Sequence, residues 1–176
     1  MHGNTPPSDW ITRYATLVPG LVPAGGTVLD VAAGSGRHTR LFRRLGHPVV
    51  AIDIDQSGLA DLAGDPDVEI LRHDLEDGSP WPLAGRSFAG VVVVNYLWRP
   101  ILPDIVSSVE PGGALLYETF AAGNARFGKP SNPDFLLRPG ELLEAVQGRL
   151  RVVAYEDIEV AMPRPAMVQR IAAVRA

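Results

Sequence analysis

The stretch Val28-Leu29-Asp30-Val31-Ala32-Ala33-Gly34-Ser35-Gly36 begins as a strand and ends as a turn. Thr27 to Val31 is apolar and β-branched around a single acid, the composition of a buried strand. Arg37 to Leu45 reads as a helix, with Gly46 just past its end as a C-terminal stop. Glycines between a strand and a helix let the backbone turn sharply and approach a ligand, and the helix N-terminus offers unpaired N–H groups. A Gly-Ser-Gly turn alone admits several ligands, and a plain connector as well. Two details narrow it. A dinucleotide cradle wants a third glycine three residues after Gly36, where Thr39 stands. Asp30, ahead of the glycines, would repel a phosphate but suits an ammonium or sulfonium group.

Outward from this turn, apolar runs alternate between strand and helix. Ser8 caps a first helix over Asp9 to Leu17, stopped by Pro19-Gly20. Pro48 to Ile52 is a second strand, Gln56 to Ala63 a short helix and Val68 to Leu71 a third strand. Phe88 to Val94 is continuously apolar, as expected of a central parallel strand covered on both faces. Ile101 to Val109 is a helix, Pro111-Gly112-Gly113 a turn and Ala114 to Glu118 a fifth strand. After a long loop, Glu141 to Val146 is a helix. Arg151 to Ile158 and Met167 to Val174 are strands joined through Met162-Pro163-Arg164-Pro165 with no helix between them. The pattern predicts an α/β fold: a Rossmann-like, doubly wound, mostly parallel seven-stranded sheet with an antiparallel C-terminal hairpin and helices on both faces. One domain over 1–176 is expected, with an N-terminal helical cap at 1–25 and a lid-like loop at 120–140. Ligands of such sheets bind at the carboxyl ends of the strands.

Asp30-Val31-Ala32-Ala33-Gly34-Ser35-Gly36 resembles the acidic-x-Gly-x-Gly-x-Gly signature of class I S-adenosylmethionine (SAM)-dependent methyltransferases, with Ala32 in place of the first glycine. The resemblance runs over about residues 26 to 120 and points to the small-molecule branch. It implies SAM as cofactor and S-adenosylhomocysteine as product. Asp30, Ala32, Gly34 and Gly36 would form the cofactor turn, with Arg37 facing the methionine carboxylate. Asp53, followed by Ile54, matches the acid that holds the ribose hydroxyls, with Asp55 as second choice. Asp74 and Leu75 match the adenine contacts. Asn95 and Tyr96, at the end of the fourth strand, fall at the methyl-transfer position. They lack the Pro-Pro tetrapeptide of enzymes acting on DNA or protein amides. Phe135 to Leu142 resembles, more distantly, the tellurite-resistance-type methyltransferases, which implies a small anionic or chalcogen-containing acceptor.

Methyl transfer needs positioning above all. The bases within reach of the sequence pattern are few: His38, Asn95, Tyr96 and Glu118. Trp10 and Tyr14 are candidates for closing over the substrate. The 120–140 loop carries Arg126, Lys129 and Arg138 against Asp134, which fits a cationic lid over an anionic acceptor, or a structural loop pinned by Phe127, Phe135 and Leu136. An NAD-linked oxidoreductase and a non-catalytic SAM- or nucleotide-binding module are the alternatives.

Composition trims the list. The net charge is -4, against nucleic acid as main partner. No cysteine is present, which removes disulfides, thiol nucleophiles and cysteine metal sites, and the four histidines (His2, His38, His47, His73) show no paired ligand spacing, so no metal is expected. No apolar run reaches the ~20 residues of a membrane helix, and no signal-peptide layout is seen, so a cytoplasmic location without membrane contact is expected. The oligomeric state is not legible. Lys129 is the only lysine among 16 basic residues, a bias read as compositional.

Overall fold

The structure, a computed structural model, describes residues 5–20 and 26–176. The remaining parts of the expected N-terminal cap, His2 among them, lie outside the described residues.

Seven strands form one sheet in the order β3-β2-β1-β4-β5-β7-β6. They are β1 (Val28–Val31), β2 (Val49–Asp53), β3 (Val68–Arg72), β4 (Phe88–Val94), β5 (Val109–Phe120), β6 (Arg151–Val160) and β7 (Ala166–Val174). The first five run parallel, whereas β7 is antiparallel to both β5 and β6. This is the doubly wound sheet with a C-terminal hairpin that the pattern predicts. The strand order reverses between β1 and β4, so the crevice at their carboxyl ends is the natural ligand site.

Alternation along the strands sorts side chains into two layers. Leu29, Val31, Val91 and Val93 pack on one face with Ile105 and Val106 of α3 (Leu102–Ser107) and Leu142 of α4 (Glu141–Val146). Val28, Val49 and Val92 pack on the other with Trp10 and Ile11 of α1 (Asp9–Tyr14) and Leu41 and Phe42 of α2 (Arg37–Arg44). β4 is buried on both faces, which explains its unbroken apolar run.

Several boundaries differ from expectation. The first helix is α-helical only to Tyr14 and continues as a 3₁₀ turn, Ala15–Leu17, on the approach to Pro19. Ser57–Leu62 is 3₁₀ rather than α-helical. There the Gly58 carbonyl accepts from Arg40 Nη2 (3.0 Å). Helix α3 starts only after a 3₁₀ turn at Arg99–Ile101 and yields to β5 at Val109. The Pro111-Gly112-Gly113 segment lies inside β5, where the register with β4 shifts, and does not separate a helix from a strand.

The 120–140 loop, expected as a lid or a structural connection, is docked on the body of the protein. Arg99 donates to both oxygens of buried Glu141 (2.7 and 3.0 Å) and to the carbonyls of Asp134 and Leu136 (both 2.8 Å). Burial pushes the Glu141 carboxyl up, but the Arg99 and Arg138 N–H bonds outweigh it and hold it below the usual range. Asn124, also buried, ties Pro130 O to Met167 N, and Leu137 is fully buried.

Trp10, expected at the substrate, is a core residue at 2% exposure, with Nε1 donating to Ile171 O (3.2 Å) and its ring 4.6 Å from that of Tyr14. Burying the indole leaves no donor unpaired, because Nε1 finds a strand carbonyl. Trp10→Ala should therefore lower the unfolding free energy in urea by about 3–5 kcal/mol.

Candidate functional site

The turn after β1 is held from three sides. Gly34 N donates to Asp53 Oδ2 (2.7 Å), and Asp53 Oδ1 accepts from Asp55 N (2.9 Å). A Cβ on Gly58 would sit 2.4 Å from Gly34 O, so only glycine lets the segment after β2 press on the turn. Behind it, Thr39 Oγ1 donates to Asp30 Oδ2 (2.6 Å). Thr39, where a dinucleotide motif has glycine, thus supports the acid at the end of β1. Asp30 is buried, and desolvation raises its carboxyl to about 6 against the Thr39 bonds, which lower it.

Three cavities adjoin along the carboxyl edge. The first, about 370 Å³, is lined by Asp30, Gly34, Arg37 and His38 among others. The second, about 170 Å³, lies between β2 and β3 and is lined by Asp53, Ile54, Asp74, Leu75, Glu76 and Tyr96. The third, about 290 Å³, lies between the N-terminal segment, the end of β5 and the β6–β7 turn. Ala32 borders the first and second, while Asn95 and Arg37 border the first and third. Ala32 (φ 53°) and Asn95 (φ 57°) are also the non-glycine residues with left-handed backbone among the described residues. Strain of this kind gathers where a fold is bent around a ligand.

The expected cofactor residues are brought together here. Gly36, left-handed at φ 74°, opens α2 directly behind the turn. Arg37 Nη1 donates to Pro6 O (3.1 Å), which draws the N-terminal segment over the first cavity. Asp74 faces the second cavity while its Oδ1 accepts from Glu76 N (2.9 Å). Asn95 sits at the junction with the acceptor-side cavity.

Other placements depart from expectation. Tyr96 faces the second cavity, beside Asp53 and Asp74, and not the junction. Its hydroxyl is buried without a hydrogen-bond partner, and burial with the nearby carboxylates of Glu76, Asp74 and Asp53 holds it protonated far above neutral pH. Held protonated, Tyr96 faces the second cavity as a hydrogen-bond donor with the Glu76 carboxylate close by. His38 is buried and neutral: its Nε2 accepts from Ser8 N (3.1 Å), and burial, with the Arg37 charge, lowers it to about 3. Tyr14 stacks on Trp10 and borders none of the three cavities. Arg126 is engaged with Glu159 (2.6 Å) and with the Phe127 ring, and Lys129 is exposed. Neither borders the third cavity, because the loop that carries them is tied to α4 and β7.

The sequence reading missed the residues that replace them. Ser8, seen only as a helix cap, donates from Oγ to Glu118 Oε1 (2.8 Å), and Glu118 Oε2 accepts from Arg170 Nη1 (3.0 Å). Arg170 also pairs with Glu156 (2.7 Å) and lies 4.8 Å over the Trp10 ring. Arg164, in the Pro-Arg-Pro turn, lies 5.7 Å over Phe120. The available signal was register: a strand antiparallel to β5 must place its start, and the turn before it, at the ligand-binding edge.

Known proteins agree with this geometry. A family described as "Methyltransferase domain" matches residues 28–113. A demethylmenaquinone methyltransferase of Clavibacter sepedonicus is 29% identical over 123 residues, 65% of this chain and 49% of that protein. The chain thus spans about half the length of this curated relative. TehB from Haemophilus influenzae shares the fold with a TM-score of 0.70 at 17% identity, covering 100% of this chain and 63% of that one. So does the Burkholderia thailandensis 1,6-didemethyltoxoflavin-N1-methyltransferase crystallised with 1,6-didemethyltoxoflavin and S-adenosylhomocysteine, with a TM-score of 0.63 at 19% identity, covering 88% and 73%. Residues 28–113 thus match a methyltransferase-domain family, and the sheet is that of the solved methyltransferases named here. No helix among the described residues is long and apolar enough to cross a membrane.

Ala32 holds a conformation that costs an L-residue about 1–2 kcal/mol, part of which glycine would return as unfolded-chain entropy. Ala32→Gly should raise stability in urea by about 0.5–1 kcal/mol, and Ala32→Val should lower it by at least as much.

Proposed function

We propose that this chain transfers the methyl group of SAM to a small acceptor held in the cavity beyond Asn95. The observation that supports it best is the series of three adjoining cavities on one edge, with an acid at the end of β1, another at the end of β2 and a donor-acceptor loop after β3. When bound, SAM supplies an electrophilic methyl on a sulfonium. The residues fit it. Asp30 offers a buried carboxylate to the ammonium group, and Arg37 offers a guanidinium to the carboxylate. Asp53, its lone pairs only partly used by Gly34 and Asp55 N–H groups, accepts the ribose hydroxyls. Ile54, Asp74 and Leu75 flank the adenine, and the orphaned Tyr96 hydroxyl donates into the same nucleoside cavity.

On this reading Asn95, which borders both the first and the third cavity, positions the acceptor against the methyl. Glu118, paired with Arg170, orients the N-terminal segment through Ser8. Catalysis then rests on alignment and on exclusion of water rather than on a strong base. The acceptor is a small anionic molecule, and no nucleic acid or membrane enters the reaction.

Titration of S-adenosylhomocysteine by calorimetry tests the cofactor site. Asp53→Ala should weaken binding by about 100-fold, the worth of two charge-assisted hydrogen bonds. Asp53→Asn, which retains an acceptor for Gly34 N–H, should preserve the melting temperature and still bind weakly. Unchanged affinity in both variants would move the ribose elsewhere.

Asp30 adds a pH signature. Its folded value of about 6 lies above the ordinary 3.8, so the free protein is favoured with Asp30 protonated and loses that contribution as pH rises from about 4 through about 6. A cationic ligand group needs the ionised form. S-adenosylhomocysteine affinity should therefore rise between about pH 5 and pH 7, and Asp30→Asn should flatten this rise; a flat profile in the unmodified protein would remove Asp30 from the site.

A further inference from the structure

The third cavity carries more information than its position. It is walled largely by Pro6, Pro7, Phe120, Val160, Met162 and Pro163. Its charged lining is Arg37, Arg164 and Arg170 against Asp9 and Glu118, three cations to two anions, or one net positive charge. Most of these are committed. Arg170 is spent on Glu118 and Glu156, and Arg37 is bonded to Pro6 O. Asp9 lies exposed in the first turn of α1, where the helix N-terminus favours a carboxylate. Arg164 differs. It is exposed, has no carboxylate partner among the described residues, and stacks 5.7 Å over the Phe120 ring.

From this we infer that the acceptor is an aromatic acid: a flat, apolar body lying among the prolines and Phe120, with its acidic group read by Arg164 and its nucleophilic atom toward Asn95. This rests on the methyl-transfer reading above and narrows its acceptor. A bare inorganic oxyanion, chalcogen or otherwise, would exchange its hydration shell for proline, valine and methionine, with one free guanidinium as compensation, which is a poor trade for a concentrated charge. An organic ring gains from the same walls, because sites for such ligands are mostly apolar with a few placed polar groups. The Arg164 guanidinium, 5.7 Å from the Phe120 ring centre and without a carboxylate partner among the described residues, has donors left for a carboxylate fork. The Phe120 ring and the planar Arg164 cation on one wall favour a planar ligand. The β6–β7 turn, and not the 120–140 loop, is then the specificity element.

Calorimetry on the full chain tests this with 4-hydroxybenzoate, its uncharged isostere 4-hydroxybenzamide, and sodium selenite, each titrated with and without saturating S-adenosylhomocysteine. The acid should bind about tenfold or more tightly than the amide. Arg164→Ala should bring acid and amide to parity while leaving the amide and S-adenosylhomocysteine affinities unchanged. Arg164→Lys should keep part of the preference, and Arg126→Ala all of it. Equal binding of acid and amide, a preference that survives Arg164→Ala, binding of selenite alone, or binding of none of the three would overturn the inference. Failure of S-adenosylhomocysteine to bind, with an Arg164-dependent acid preference intact, would overturn the cofactor reading and leave the acid slot standing.

Discussion

A single hydrogen bond, from Gly34 N to the Asp53 carboxylate, ties the turn after β1 to the end of β2. It is charge-assisted, and it joins two strands at the point where the ladder between them has run out. Gly58 presses on the same turn from the far side, and Asp30, with Thr39, supports it from behind. Held this way, Ala32 is driven into left-handed backbone and becomes the wall between two cavities. The rest of the ligand-binding edge takes its position from this clamp. The same carboxylate that shapes the turn is the one proposed for the ribose, so on that proposal structure and recognition share one side chain.

The other half of the edge is organised by charge. Ser8, Glu118, Arg170 and Glu156 form a chain that links the N-terminal segment to three strands, and buried neutral His38 receives the Ser8 N–H beside it. Breaking such a partly buried set at one member leaves an uncompensated charge, which is why each carboxylate here has a guanidinium opposite. Once those pairs are formed, little charge is left on this side of the edge, and what is left comes from Arg164 and Asp9. The chemistry offered to an acceptor is thus a remainder, set by which charges the fold has already used.

Much of the fold was legible because burial writes directly into sequence. Phe88 to Val94 is apolar at every position since both faces of β4 are covered, and the glycine turn after Val31 has the residue types that a tight strand-to-helix reversal requires. The missing helix before the last strand announced the antiparallel hairpin. What misled were segments whose state depends on a distant partner. Gln56 to Ala63 has helical spacing, yet Arg40 takes the Gly58 carbonyl and the segment settles as 3₁₀. The basic loop from Phe120 looked free because its anchors, Arg99 and Glu141, lie far from its own centre in sequence. Trp10 looked like a ligand contact because an amphipathic helix does not say which of its neighbours it covers.

By itself the sequence determined the order and type of the main elements and the positions of Asp30, Asp53, Asp74 and Asn95 at strand ends. These follow from local rules: alternation, turn chemistry and the direction of parallel strands. Only the tertiary structure decided which charged groups remain available. Arg126 and Lys129 were moved away from the site, Tyr96 was turned toward the nucleoside cavity, and Ser8, Glu118 and Arg164 were brought to the acceptor side by the pairing of β7 against β5. Pairing between residues 52 positions apart, as in Glu118 and Arg170, leaves no mark on the local pattern of either one. A charge is available for chemistry only when packing has given it no other partner.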